Sequence, residues 1–125
     1  MINPMRMIAI ALLAPLLMTP ACADGDAARG EGLFKECAAC HKLDAGKNEV
    51  GPSLHGVFTR KAGELADFRY SPAIKRSGIA WTPEALEKFI ADPQAMVPGN
   101  RMPYAGMASA SDRADLMAYL QKATK

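Results

Sequence analysis

Cys37-Ala38-Ala39-Cys40-His41 is the stretch on which the reading of this chain turns. Over one turn of helix, positions i and i+3 share a face. The two thiols therefore point the same way, with the histidine directly behind them. C-x-x-C alone also serves redox dithiols and zinc sites. Followed at once by histidine, in a chain that reads as exported, the spacing is that of covalent haem attachment. Both thiols can reach the vinyl groups on one edge of the macrocycle, and the His41 imidazole turns toward the iron.

Export is read from the first residues of the 125-residue chain. Residues 1–6 carry one positive charge at Arg6, residues 7–18 (MIAIALLAPLLM) are apolar, and Ala21-Cys22-Ala23 is a small-residue cleavage site. This is the pattern of a secretory signal peptide, too short to span a membrane as a helix. A buried first helix is disfavoured by Pro15, Pro20 and the abrupt change to Asp24-Gly25-Asp26. We expect residues 1–23 to be removed and residues 24–125 to form a single domain. Cleavage there also removes Cys22 and leaves Cys37 and Cys40 as the remaining thiols. An alternative is a lipid anchor on Cys22, although Pro20 before Ala21 makes a poor lipidation site.

With 15 basic and 13 acidic residues the chain is nearly balanced, and it has no basic block suited to nucleic acid. Downstream of the signal the pattern is helical. Asp26 is a candidate N-cap for a helix to Cys37, with Ala27, Gly30, Leu33, Phe34 and Cys37 on one stripe. Gly30 lies on that stripe and invites a close helix crossing; Gly32, on the other side, has no obvious role. A loop-rich run follows, residues 42–66. Ser71-Pro72 and Thr82-Pro83 each place a hydroxyl cap before a proline at the first helical position. The second of these helices must end near Asp92-Pro93. Residues 96–107 (MVPGNRMPYAGM) are apolar but aperiodic, as in a loop lying against something. A last helix is expected from a Ser111 cap, with Leu116, Tyr119, Leu120 and Ala123 on one face. No run alternates long enough for a sheet, so the class is all-α with long loops.

For an iron held by His41, the far-side ligand is open at this stage. His55 is the only other histidine, and Met96, Met102, Met107 and Met117 lie far enough downstream. A thioether ligand raises the reduction potential, but a methionine is also a common core filler. Two other readings remain in play. One is a zinc site from Cys37, Cys40, His41 and His55, or a redox dithiol. The other is a haem protein with a labile sixth site, peroxidase-like or gas-binding.

Over residues 24–125 the chain resembles the class I cytochromes c of the mitochondrial and bacterial c2 type. The resemblance rests on Gly30-Glu31-Gly32-Leu33-Phe34, the Cys37 to His41 motif, Gly51-Pro52-Ser53-Leu54-His55-Gly56-Val57-Phe58 and Arg60-Lys61-Ala62-Gly63. It continues through Phe68-Arg69-Tyr70-Ser71, Gly78-Ile79-Ala80-Trp81, Val97-Pro98-Gly99-Asn100-Arg101-Met102 and Asp115-Leu116-Met117-Ala118-Tyr119-Leu120. It implies three to five helices and long loops wrapped around one haem c, bound covalently through Cys37 and Cys40. It implies His41 and Met102 as iron ligands and Pro52 as acceptor for the ring N–H of His41. Arg60, Tyr70 and Trp81 would be donors to the inner propionate, with Asn100 a donor nearby. Gly30 and Phe34 would cross Leu116 and Tyr119.

The implied activity is single-electron transport in a respiratory or photosynthetic chain, without enzymatic turnover. The donor would be a quinol-oxidising complex and the acceptor a terminal oxidase, peroxidase or reaction centre. The implied setting is a soluble periplasmic monomer without a membrane span. Three departures stand out. Ile74 replaces an asparagine beside a buried water, and Phe89 replaces a tyrosine near the methionine sulfur. The lysines that ring the haem edge in mitochondrial relatives become Glu36, Gln94, Ala95, Ala108, Ser109 and Ala110. Arg101, Lys35, Lys42 and Lys47 remain there.

Overall fold

The computed structural model describes residues 25–125; the expected signal segment and Cys22 lie outside them. Six α-helical segments follow in order: α1 Ala27–Leu33, α2 Lys35–Ala38, α3 Pro72–Arg76, α4 Pro83–Ala91, α5 Pro93–Met96 and α6 Ala110–Ala123. Four of them are five residues or longer; α2 and α5 are single turns. A 3-10 turn spans Val57–Thr59. The only bridge outside helices among the described residues pairs Lys61 with Ala80. The all-α expectation holds.

Local chemistry places each start. The Asp26 carboxylate accepts from the Ala28 and Arg29 N–H groups and caps α1. Ser71 Oγ accepts from the Ile74 N–H and Thr82 Oγ1 from the Ala85 N–H, both at 3.1 Å, with proline at the first position of α3 and α4 as expected. Asp92-Pro93 does more than end α4. The Asp92 carboxylate accepts from the Ala95 N–H at 3.1 Å and opens α5 on the same plan.

Two boundaries differ from the sequence expectation. The helix from Asp26 is interrupted at Phe34, although the Ala38 N–H still reaches the Phe34 carbonyl at 2.9 Å. The last helix is capped by Ser109 rather than Ser111, its hydroxyl accepting from the Asp112 N–H at 3.3 Å. Ser109-Ala110-Ser111-Asp112 is the serine-x-x-acid pattern of a helix start, and Ser111 falls inside the first turn.

The first and last helices cross at Gly30. A β-carbon there would stand 2.0 Å from the Asp115 carbonyl oxygen and 2.8 Å from the Tyr119 Cβ, so only glycine admits this approach. Around the crossing, Phe34 stacks on Tyr119 with ring centres 5.5 Å apart. Leu116 is fully buried beside Leu120, Met117, Leu86, Phe89, Ile90, Val97 and Met107. Gly32 faces open space, with nothing near its would-be β-carbon.

A polar clasp closes the same end of the molecule. The Asp26 backbone N–H donates to Asp115 Oδ1 at 2.7 Å, and Arg29 reaches Asp115 Oδ2 at 2.6 Å and Asp112 at 2.9 Å. The Asp26 N–H, and after it Arg29, hold the Asp115 carboxyl below the usual carboxylate range. A carboxyl whose native pKa is depressed adds stability above its unfolded pKa and loses it as pH falls through the native value. Asp115→Asn is therefore expected to lower the thermal midpoint at pH 7. The gap to wild type should close as pH drops through the acid range. Melting curves at stepped pH check this; a gap that stays constant in acid contradicts it.

Candidate functional site

The Cys37 to His41 stretch leaves α2 still wound. The Cys40 and His41 N–H groups both donate to the Cys37 carbonyl, at 3.0 and 2.9 Å. This turn sets the two thiols one helical step apart, as the i, i+3 spacing requires. Both are free and half-buried. Burial, with Glu36 and Cys40 adding to it, pushes the Cys37 thiol up to about 11. It is protonated at neutral pH, the reverse of the low-pKa thiol of a redox dithiol.

His41 is oriented from behind. Its Nδ1 lies 2.7 Å from the Pro52 carbonyl oxygen, which only accepts, so the proton sits on Nδ1 and the lone pair is on Nε2. Burial pushes the imidazole pKa down, against the Pro52 contact that raises it, and keeps the ring neutral. A neutral imidazole with Nε2 free and Nδ1–H donated to a carbonyl is the arrangement of a metal-bound histidine. Gly51 is needed for it: a β-carbon there would come within 2.4 Å of the ring.

Ser53 holds this loop in shape. Its Oγ donates to the Asp44 carbonyl at 2.6 Å, and its N–H donates to Asn48 Oδ1 at 2.9 Å. These bonds of Asn48 and Ser53 leave no mark in the sequence, because no periodicity signals side chains that bond to backbone elsewhere in a loop.

Arg60, Tyr70 and Trp81 come together. The Trp81 N–H donates to the Arg60 carbonyl at 3.1 Å and the Ala62 N–H to the Ile79 carbonyl at 2.8 Å, so residues 60–62 run beside residues 79–81. Tyr70 is close enough to Arg60 for their charges to interact. The Arg60 guanidinium donates to the Ser53 and His55 carbonyls at 2.5 and 3.2 Å. Trp81 packs on Phe89 with ring centres 5.2 Å apart. The Arg60 guanidinium and the Tyr70 phenol thus lie close together in a partly buried setting, with the Trp81 backbone alongside.

Burial sets Met107 and Met117 apart from Met96 and Met102, which are both half-buried. Met107 and Met117 are core residues, Met96 packs from α5, and Met102 lies half-buried in the irregular stretch. Asn100 binds the loop around it. Both its amide protons go to backbone, to the Pro93 and Val97 carbonyls at 2.9 Å each, and its Oδ1 accepts from the Met102 N–H at 2.9 Å. Asn100 thereby shapes the Met102 loop. On the far side of Met102, the Tyr104 hydroxyl donates to Glu36 at 3.3 Å. Burial and the Glu36 charge push the Tyr104 phenol up to about 12.

His55 is exposed, and among the described residues no group of three or more His, Cys, Asp or Glu gathers that could hold a metal ion. The zinc tetrad does not form. The Cys37 to His41 turn, the Pro52-oriented imidazole and the Arg60, Tyr70 and Trp81 cluster fit an iron porphyrin with carboxylate arms.

Comparison with known proteins gives the same answer. The family model described as cytochrome c matches residues 27–124. The chain belongs to the class I cytochrome c family. It is 45% identical over 106 residues to a cytochrome c2 of Blastochloris viridis, covering 84% of this chain and 83% of that one. It is 49% identical over 88 residues to a cytochrome c2 iso-2 of Magnetospirillum fulvum, covering 70% and 92% respectively. To a cytochrome c of Cochliobolus lunatus it is 43% identical over 103 residues, covering 81% and 95%. As a cytochrome c, the protein carries one covalently attached haem c, transports electrons between redox proteins and is not an enzyme. Among the described residues no helix is long and apolar enough to cross a membrane.

Proposed function

We propose that the chain is an exported, monomeric carrier that moves single electrons in the periplasm. Its donor is a quinol-oxidising complex and its acceptor a terminal oxidase, peroxidase or photosynthetic reaction centre. The haem is held by thioethers from Cys37 and Cys40, with His41 and Met102 on the iron. The observation that carries this reading is the 2.7 Å contact of His41 Nδ1 with the Pro52 carbonyl, which leaves Nε2 as the ligand atom directly behind two free thiols.

When bound, the haem supplies a one-electron iron couple. The chain supplies the setting. The Pro52 carbonyl fixes the His41 ring and raises its basicity as a ligand. Arg60, Tyr70 and Trp81 offer donors and positive charge to the propionates. Phe89 beside Trp81 leaves no hydroxyl there to donate to a sulfur, and the apolar core from Leu86 to Met107 keeps water away. The two half-buried cysteines would keep the group close to the surface, where partners reach it.

Mass spectrometry of the mature protein tests this. One haem's added mass on a chain beginning at Asp24 is expected. A chain without that added mass, or a lipid on Cys22, contradicts the respective part.

The rim of the site shapes the encounter with partners. Gln94, Ala95, Ala108, Ser109 and Ala110 are exposed and uncharged, and Lys47 sits 3.8 Å from Asp44. Long-range steering by a lysine ring is therefore weak. The rate of electron transfer with the natural partner is expected to change by less than about threefold between ~0.01 and ~0.15 M ionic strength. A steep fall with added salt, measured by stopped flow, contradicts this.

A further inference from the structure

Residues 96–102 belong to the stretch that reads as apolar and aperiodic, yet side-chain amides bind it closely to α5 and to itself. Asn100, only 7% exposed, fills the inside and spends its amide on the Pro93 and Val97 carbonyls and the Met102 N–H. Gln94 closes the outside. Its Nε2 donates to the Asn100 carbonyl at 2.8 Å and its Oε1 accepts from the Gly99 N–H at 3.2 Å. One exposed side chain therefore pins Gly99 and Asn100, and the Asn100 side chain in turn holds the Met102 N–H.

We propose that Gln94 is a positioning residue for Met102, closing the loop of residues 93–102 and setting how often the thioether leaves the iron. The inference rests on Met102 ligation, proposed above. Its physical basis is local opening. A loop released as a unit opens with a free energy below that of global unfolding, set by the bonds that close it. The Gly99 bond is exposed and the Asn100 bond partly buried, so truncation returns the Gly99 N–H to water rather than leaving it buried and unpaired. The core packing of Leu86, Phe89 and Val97 does not involve the Gln94 amide. Loss of Gln94 should therefore loosen the loop while sparing the fold.

The test uses the haem-loaded protein with Gln94→Ala, and Gln94→Leu, which keeps an apolar stem and loses both hydrogen bonds. Three readings are taken. They are amide hydrogen exchange at Met102 and at Leu120 in α6, imidazole affinity of the oxidised protein, and the far-red sulfur-to-iron absorption band of the wild type. In both variants, Met102 exchange is expected to quicken and imidazole to bind tighter by about tenfold, equivalent to about 1.4 kcal/mol, with Leu120 exchange unchanged. The Met102 amide is the informative one, because its own acceptor, Asn100 Oδ1, is untouched. Met102 exchange and imidazole affinity that stay at wild-type values while the band is present would overturn the role of Gln94 alone. Equal acceleration at Met102 and Leu120 would overturn it too, since the effect would then be global. A wild type without the band would overturn Met102 ligation and the proposal with it.

Discussion

Gly30→Val is expected to destabilise the haem-loaded protein by more than about 3 kcal/mol, at or beyond the upper end of ordinary overpacking. The first β-carbon alone would meet the Asp115 carbonyl oxygen at 2.0 Å, and two further methyls would press on Tyr119. The obstacle is backbone on the opposite helix, so no side-chain rotation relieves it. Separating α1 from α6 would also open the Phe34–Tyr119 contact and stretch the Asp26 and Arg29 bonds to Asp115. Against a typical native stability of ~5–15 kcal/mol this is a large share. Gly32→Ala is the internal control. Nothing lies within 4 Å of its would-be β-carbon, and alanine is the better helix former by roughly 0.5–1 kcal/mol. Guanidinium unfolding of both variants is expected to move in opposite directions. A Gly30→Val protein as stable as wild type contradicts the close crossing.

Met102→Ala is the second large effect, and it falls on chemistry rather than stability. Met102 is half-buried against the core, in a loop whose backbone is held by Asn100 and Gln94. The fold is expected to survive the substitution. Without the thioether the reduced protein should bind carbon monoxide at neutral pH, which the wild type should resist. The midpoint potential should fall by on the order of 0.1 V or more, within the ~0.8 V range that axial ligands command. Potentiometry and carbon monoxide titration check the two effects. An unchanged potential would remove Met102 from the iron and reopen the labile-site reading.

These effects separate what could be read from the chain and what could not. The glycine on the first helix's apolar stripe announced a close crossing, and the structure places Gly30 against Asp115. Hydroxyl–proline pairs at Ser71-Pro72 and Thr82-Pro83 announced two helix starts, because cap and proline act over three residues. Pro52 behind His41 is expected from the resemblance, and the structure has His41 Nδ1 2.7 Å from the Pro52 carbonyl. The misses share a physical cause. Asp92-Pro93 reads as a stop, although its carboxylate also starts α5; Ser109 and Ser111 both offer a hydroxyl cap, and only Ser109 has an acid three residues on.

Asn100 and Gln94 escaped for a deeper reason. Their hydrogen bonds go to backbone groups whose positions depend on the whole loop, and nothing in local propensity encodes them. Asp115 likewise reads as one more acid in a helix until the first residues fold back onto it. Periodicity and caps report local structure; a polar clamp closes only in three dimensions.

The proposed redox centre would hold its iron through His41 and Met102. The far-red sulfur-to-iron absorption band of the oxidised protein tests it most directly. The band is expected in the wild type and in Met96→Leu, and is expected to vanish in Met102→Ala. A wild type lacking the band, or a band that survives in Met102→Ala, would contradict the assignment.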